Sequence, residues 1–471
     1  MPSFFASSPS VFFSLVALAG ISMHAKAQEA PVPATGAFSF LDALSAESQA
    51  RDPDVAVSRA VETERQAAVE TARAGHLPTL GLSASTGPSR TWQWNNGGLM
   101  NRDDRATWNT QGGVSLRQNL WAGGLTRLRT DSTELRLEAG RIDTRRTQSA
   151  LTLSLAQDLA RILSAVRSLK EDTIILDQAR RLESIATRKN KSGFLGSKEL
   201  LDTQREALRS EFSLRNARAR LAERIALFNR AYHLKEQALT EERALALAPK
   251  LDALTRAPEE TLAGVDFLAN NLDLKVSEFS LQAVDKDVES ARVQRLSPSL
   301  DLSAGLNGTL YDNGNVAREA RGLAPDRGLN ASGQLSFSMN VFAPSANAAA
   351  TEAIARKATV LGERARAEDA LRRAAEQLRA ERALLVAQIA DQRRLLATTE
   401  DLFQKNTRLF EAGTFDVLAV IASQQTVARD RQTLVDLEGQ LQQSTLQTLA
   451  ARDLGVFSAA GAATSSTGNA R

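Results

Sequence analysis

Ala72-Arg73-Ala74-Gly75-His76-Leu77-Pro78-Thr79-Leu80-Gly81-Leu82-Ser83-Ala84 leads out of a helical stretch into alternating residues, and the passage comes back as Ala291-Arg292-Val293-Gln294-Arg295-Leu296-Ser297-Pro298-Ser299-Leu300-Asp301-Leu302-Ser303-Ala304. Ala72 and Ala291 are 219 residues apart and Pro78 and Pro298 are 220 apart, so the second copy carries one insertion. Two more landmarks keep that offset. Asn119-Leu120-Trp121-Ala122 and Asn340-Val341-Phe342-Ala343 are 221 apart, and Gly193 and Gly413 are 220 apart. Landmarks in one order at nearly one spacing mark an internal duplication.

Each copy carries a pair of strands. Leu80, Leu82 and Ala84 alternate with Thr79, Gly81 and Ser83, and Val114, Leu116 and Leu120 alternate with Ser115, Arg117 and Asn119. Leu300, Leu302, Ala304, Leu306 and Leu310 do the same in the second copy, as do Leu335, Phe337, Met339 and Val341. A period of two gives a strand one apolar and one polar face. The stretches between the strand partners, Asn95 to Ala106 and Asp312 to Leu329, are rich in Gly, Asn and charge. Such a sheet is either half-buried in a soluble domain or part of a transmembrane barrel. Four strands do not close a membrane barrel, whose smallest natural form has about eight. Three chains give twelve under threefold symmetry.

Each copy also carries two long helices. From Leu125 to Arg188 there is no proline, and the only glycine is Gly140. The stretch spans roughly 96 Å as one helix. Leu155, Leu159, Ile162, Val166, Leu169 and Leu176 follow coiled-coil spacing. Ile389, Leu396, Phe403 and Phe410 recur every seven residues, and Val420, Val427, Leu434 and Leu441 resume the seam after Gly413. Helices of this length outrun a compact domain and lie along a bundle, a fibre or a tube.

Composition narrows the function. The 471 residues contain 58 basic and 55 acidic side chains, a net charge of +3. That balance excludes the concentrated basic excess of a nucleic-acid binder. With no cysteine, disulfides, thiol nucleophiles and an N-terminal lipidated Cys are excluded. His24, His76 and His233 lie far apart, so no His-rich metal site is expected. Val11 to Met23 is an apolar run followed by Ala25-Lys26-Ala27. It reads as a signal peptide cut after Ala27, because thirteen residues are too few to span a bilayer.

The order of helix, Leu-Pro-led strand, hairpin, strand ending in Asn-Leu-Trp, long helix, Gly-centred turn and returning helix, done twice, resembles the TolC family of outer-membrane efflux and secretion ducts. The matching residues are Asp52-Pro53-Asp54, Ala72-Arg73, Leu77-Pro78, Gln118 to Gly124, Gly193 with Glu199-Leu200-Leu201-Asp202, and Ala412-Gly413-Thr414. The resemblance implies a mainly α fold with a β-barrel part: a homotrimer with a twelve-stranded barrel in outer-membrane lipid, continued by a periplasmic α-helical tunnel. It implies docking onto a periplasmic adaptor (membrane fusion) protein joined to an inner-membrane transporter. No cofactor, metal or catalytic group is expected, and no enzymatic activity. The expected layout is a signal peptide at 1–27 and a first repeat at 28–250, with strands about 79–94 and 107–121 and helices about 125–190 and 197–232. A second repeat at 251–457 has strands about 299–311 and 331–342 and helices about 346–411 and 416–454. The tail 458–471, small and polar, is expected to be disordered.

The two turns form the expected docking tips, centred on Gly193 and Gly413. In ducts of this family acidic residues shortly after the tip glycine narrow the tunnel entrance. Glu199 and Asp202 stand six and nine residues after Gly193, whereas Ala419 and Ala422 stand at those places after Gly413. The acids either line the entrance, held by Arg205, Lys198 or cations, or simply favour the positive end of a helix. Phe410 and Phe415 are candidates for an apolar constriction at the second tip or for ordinary packing. The expected function is a passive exit duct, in type I protein secretion or in drug or metal efflux. The alternative is a secreted coiled-coil or adhesin-like structural protein.

Overall fold

A computed structural model describes residues 41–89, 93–95, 98–100, 107–255, 267–312, 328–339 and 344–453. The expected signal peptide, the tail and the Asn340–Ala343 landmark lie outside these residues. The helices are α1 Asp42–Arg51, α2 Pro53–Ala74, α3 Leu125–Lys191, α4 Ser197–Ala231, α5 Glu241–Thr255, α6 Leu272–Val293, α7 Pro344–Ala412 and α8 Val417–Asp453. The strands are β1 Thr79–Ser89, β2 Gln93–Asn95, β3 Gly98–Met100, β4 Thr107–Trp121, β5 Pro298–Asp312 and β6 Leu329–Met339. Strand β1 is described as far as Ser89, residues 90–92 of the expected strand lie outside the described residues, and the small β2–β3 hairpin follows.

The duplication is visible in local chemistry. Asp52 caps α2, its Oδ1 accepting from the Asp54 and Val55 amides at 2.9 and 3.1 Å. In the second copy Asn271 caps α6 in the same way, accepting from Asp273 and Leu274 at 2.9 and 3.2 Å. Each oxygen satisfies amides that a helix start leaves without partners. Replacing Asp52 and Asn271 together by Ala should cost about 1 kcal/mol each. Hydrogen exchange at the first turns of α2 and α6 reads this directly.

Strands β1, β4, β5 and β6 form one antiparallel sheet in that order. The two hairpins, one per repeat, meet along β4 and β5. Helices α3 and α7, 67 and 69 residues long, leave the sheet and return as α4 and α8. The main core gathers Leu155, Leu159 and Leu163 of α3, Phe228 of α4, Leu251 of α5 and Leu446 of α8, with Leu41 and Leu44 from the start of the described chain. Among the described residues no helix is long and apolar enough to cross a membrane.

Helix α1 is tied to the segment after α4 by Glu47. Its carboxylate accepts from three successive backbone amides, Lys235, Glu236 and Gln237, at 2.8, 3.0 and 2.8 Å. These bonds, with Arg51 alongside, hold its pKa down from 4.5 to about 2. A depressed carboxylate stabilises the fold above its unfolded pKa and loses that contribution as pH falls through the folded value. Glu47→Gln should therefore lower the thermal midpoint at neutral pH. The gap from wild type should close as pH drops from about 4.5 towards 2.

Candidate conducting surface and helical tips

Register sorts the sheet into two faces. Leu80 pairs with Leu116 and Leu82 with Val114. Leu116 pairs with Ala304 and Val114 with Leu306. Leu300 then pairs with Phe337 and Leu302 with Leu335. Side chains of directly paired residues share a face, so one face is a sheet of leucine, valine and phenylalanine. Among the described residues nothing covers it: Leu82 is 86% exposed, Leu80 75% and Phe337 65%. The other face carries Thr79, Gly81, Ser83, Ser115, Ser303, Asn307, Ser332 and Ser336.

Tryptophans stand towards both ends of the apolar face. Trp108 pairs with Pro88 near one end of β4. At the other end a register shift between Asn119 and Trp121 brings Trp121 opposite Leu300, and so onto the apolar face. A bulge re-aims side chains in this way. The hydroxyls on this face are satisfied: Thr86 and Thr110 bond each other at 2.8 Å, and Trp108 Nε1 donates to Thr86 at 2.9 Å. Aromatic residues flanking an outward apolar band are what a bilayer-spanning barrel displays.

The far ends of the helices carry two matched turns. After α3 the Phe194 amide donates to the Lys189 carbonyl at 2.9 Å and the Gly193 amide to Asn190 at 3.0 Å. After α7 Thr414 donates to Leu409 at 3.1 Å and Gly413 to Phe410 at 3.0 Å. Both are Schellman closures. They need a left-handed residue, and Gly193 and Gly413 have φ of 80° and 85°.

The two tips are fastened to each other. Lys189 Nζ donates to the Phe410 carbonyl and lies 4.6 Å from the centre of the Phe410 ring. Phe410 is 2% exposed and packs with Leu182, Val417, Val420 and Ile421. Of the two readings of Phe410, the protomer shows the packing: its ring fills the protomer's own tip core. Phe415 is 36% exposed. Ala419 is half-buried, Ala422 is exposed, and neither brings charge to the second tip.

The first-tip acids sit at the start of α4. Glu199, in its first turn, folds back against Gly196, the capping residue. Asp202 pairs with Arg205 at 3.2 Å, one turn on. Both acids are half-buried. Three residues that sequence reasoning passed over hold the helices together above the tip. Arg431 of α8 reaches Glu171 of α3 at 3.2 Å and Glu400 of α7 at 2.6 Å. Asp172, beside Glu171, has its pKa raised by burial and by that neighbour's charge.

Comparison with known proteins gives one family match, to the outer membrane efflux protein family, over residues 44–228 and 264–451. The chain belongs to the outer membrane efflux protein family. The match falls in two blocks, one in each repeat. No curated protein sequence matches it. Among solved structures it resembles CusC, studied for transmembrane channel formation, at 17% identity and a TM-score of 0.68, over 87% of this chain and 91% of that one. It resembles VceC of Vibrio cholerae at 15% identity and a TM-score of 0.67, over 89% and 96%. It also resembles the CmeC outer membrane channel of Campylobacter jejuni at 14% identity and a TM-score of 0.64, over 92% and 90%.

The resemblance read from the sequence to TolC-type ducts holds, with the mainly helical, duplicated fold it implied. As an outer membrane efflux protein the chain is a channel component of the outer membrane and not an enzyme. The coiled-coil adhesin alternative gives way, since its helical seams come with a barrel sheet and this family. The described residues hold no cluster of His, Asp and Glu fit for a metal ion.

Proposed function

We propose that three copies close a twelve-stranded barrel, continued by a helical tunnel that conducts cargo passively outward from an inner-membrane transporter and a periplasmic adaptor. One observation carries this: a four-stranded sheet with a bare apolar face and two open edges, β1 and β6. In lipid an open edge leaves backbone groups without partners, each costing several kcal/mol. A barrel closed from further copies removes both edges. The efflux family supports small-molecule cargo, and type I protein secretion is the second cargo. Reconstituted in planar bilayers, the protein should give discrete conductance steps, and a non-conducting protein would contradict the duct. Accumulation of a fluorescent drug in a deletion strain speaks for efflux. Loss of a secreted protein with normal drug accumulation speaks for type I secretion.

The adaptor would dock on the two glycine tips. A Cβ added at Gly193 meets nothing within 4 Å, and one at Gly413 meets only Lys189 Nζ at 3.9 Å. A bulky residue there projects outward, at a backbone cost of about 1–2 kcal/mol. Gly193→Trp with Gly413→Trp should stop transport while the protein still inserts and conducts in bilayers. Full transport by this variant would remove the tips from the docking surface. Glu199 and Asp202 would line the resting entrance. Replacing both by Ala should raise resting conductance, and unchanged conductance and ion preference would leave them a helix-start role.

A further inference from the structure

The polar face of the sheet is lined by Ser, Thr, Asn, Gln and Gly. Over Thr79–Ser85, Asn109–Asn119, Ser299–Thr309 and Asn330–Ser338 it carries two charged side chains, Arg117 and Asp301. Arg117 pairs with Thr79 on one side and Ser303 on the other. Asp301 pairs with Asn119 and Ser336. Both lie at the end of the sheet where β4 leads into α3, and Asp301 is two positions nearer the helices. Two positions along a strand are about 7 Å.

The two groups are held differently. Asp301 is half-buried against the wall. Its Oδ1 accepts from Asn119 Nδ2 at 2.8 Å and its Oδ2 from Ser299 Oγ at 3.1 Å. Arg117 is exposed. Its guanidinium has no hydrogen-bond or ion-pair partner among the described residues, and it does not reach Asp301. One is a charge fixed in the wall and the other a charge on a long, exposed arm without a partner among the described residues.

We propose that Arg117 and Asp301 are the ion-selectivity residues of the barrel, forming two stacked rings of opposite charge at its junction with the helical tunnel. This rests on the duct reading, which makes the polar face the lumen and repeats each residue three times. Charged rings bias which ions enter a pore. Here the rings oppose one another, so the barrel by itself discriminates weakly and each ring masks the other. Their reach is set by salt: the Debye length is about 30 Å at 0.01 M and about 3 Å at 1 M. In dilute salt the rings act across the lumen, and in concentrated salt only at the wall.

The test is reversal potential across a KCl gradient, with the full-length protein in planar bilayers. At about 10 mM salt Arg117→Gln should lower the chloride-to-potassium permeability ratio severalfold, and Asp301→Asn should raise it severalfold. The double variant should return to the wild-type ratio, and Arg117→Lys should keep it. All these differences should vanish near 1 M. Equal ratios for Arg117→Gln, Asp301→Asn and wild type in dilute salt would overturn the assignment. So would shifts in the same direction, which indicate a general disturbance of the wall. A wild-type protein that never conducts would sink the duct reading and the filter with it, an outcome distinct from conducting without selectivity.

Discussion

Leu82→Arg should abolish insertion into the outer membrane, while Ser83→Arg, one residue along, should insert normally. Leu82 stands on the bare apolar face between the levels of the two tryptophans, opposite Val114. Ser83 stands on the polar face opposite Gly113. An arginine on the lipid face near the bilayer centre costs about 2–4 kcal/mol. Three copies bring roughly 6–12 kcal/mol against the closed barrel. The same charge in a wet lumen costs little. Membrane fractionation after urea washing reads the difference. Equal insertion of the two variants would show that the apolar face does not meet lipid.

Phe410→Ala should loosen the tip without touching the barrel. The ring is almost fully buried among Leu182, Val417, Val420 and Ile421. Truncating a buried Phe costs about 3–5 kcal/mol in transfer and cavity terms. The change also removes the aromatic face beneath Lys189. Hydrogen exchange should rise sharply across the end of α7 and the start of α8, and stay unchanged in β4 and β5. Protection equal to wild type at the tip would mean that this small core does not hold the two hairpin ends together.

What could be read from sequence divides by distance along the chain. The caps at Asp52 and Asn271 and the closures at Gly193 and Gly413 are local chemistry. A side chain serves amides two or three residues on, and a glycine takes a φ that other residues resist. The strand faces were equally legible, because a period of two leaves no freedom about which residues share a side. The role of Phe410 was not. Its heptad spacing fits a ring that faces an axis as well as one that faces its own partner helix. Only the position of Val417 and Val420 across the turn decides between them.

The cross-repeat polar contacts were illegible for the same reason. Lys189 meets Phe410 across 221 residues, and Arg431 meets Glu171 across 260. Nothing in the local pattern of either segment points to the other. A lysine at a helix end reads as a favourable charge for that helix's own dipole. In the fold it serves the carbonyl of the neighbouring tip instead. The register shift that turns Trp121 onto the apolar face was likewise hidden, since strict alternation from Val114 and Leu116 places position 121 among the polar residues.

The most direct test of the account is closure of the barrel by β1 of one copy and β6 of the next. The chain contains no cysteine, so introduced pairs are the only thiols. Ser83→Cys on β1, combined in turn with Asn330→Cys, Ser332→Cys or Gln334→Cys on β6, keeps both thiols on the polar face. Within one protomer these strands are the opposite edges of the sheet. Mild oxidation in native membranes should give, for at least one pair, a covalent ladder that stops at the trimer, because a closed ring of three leaves no free edge. Monomer alone from every pair, or a ladder that continues past three, would contradict it.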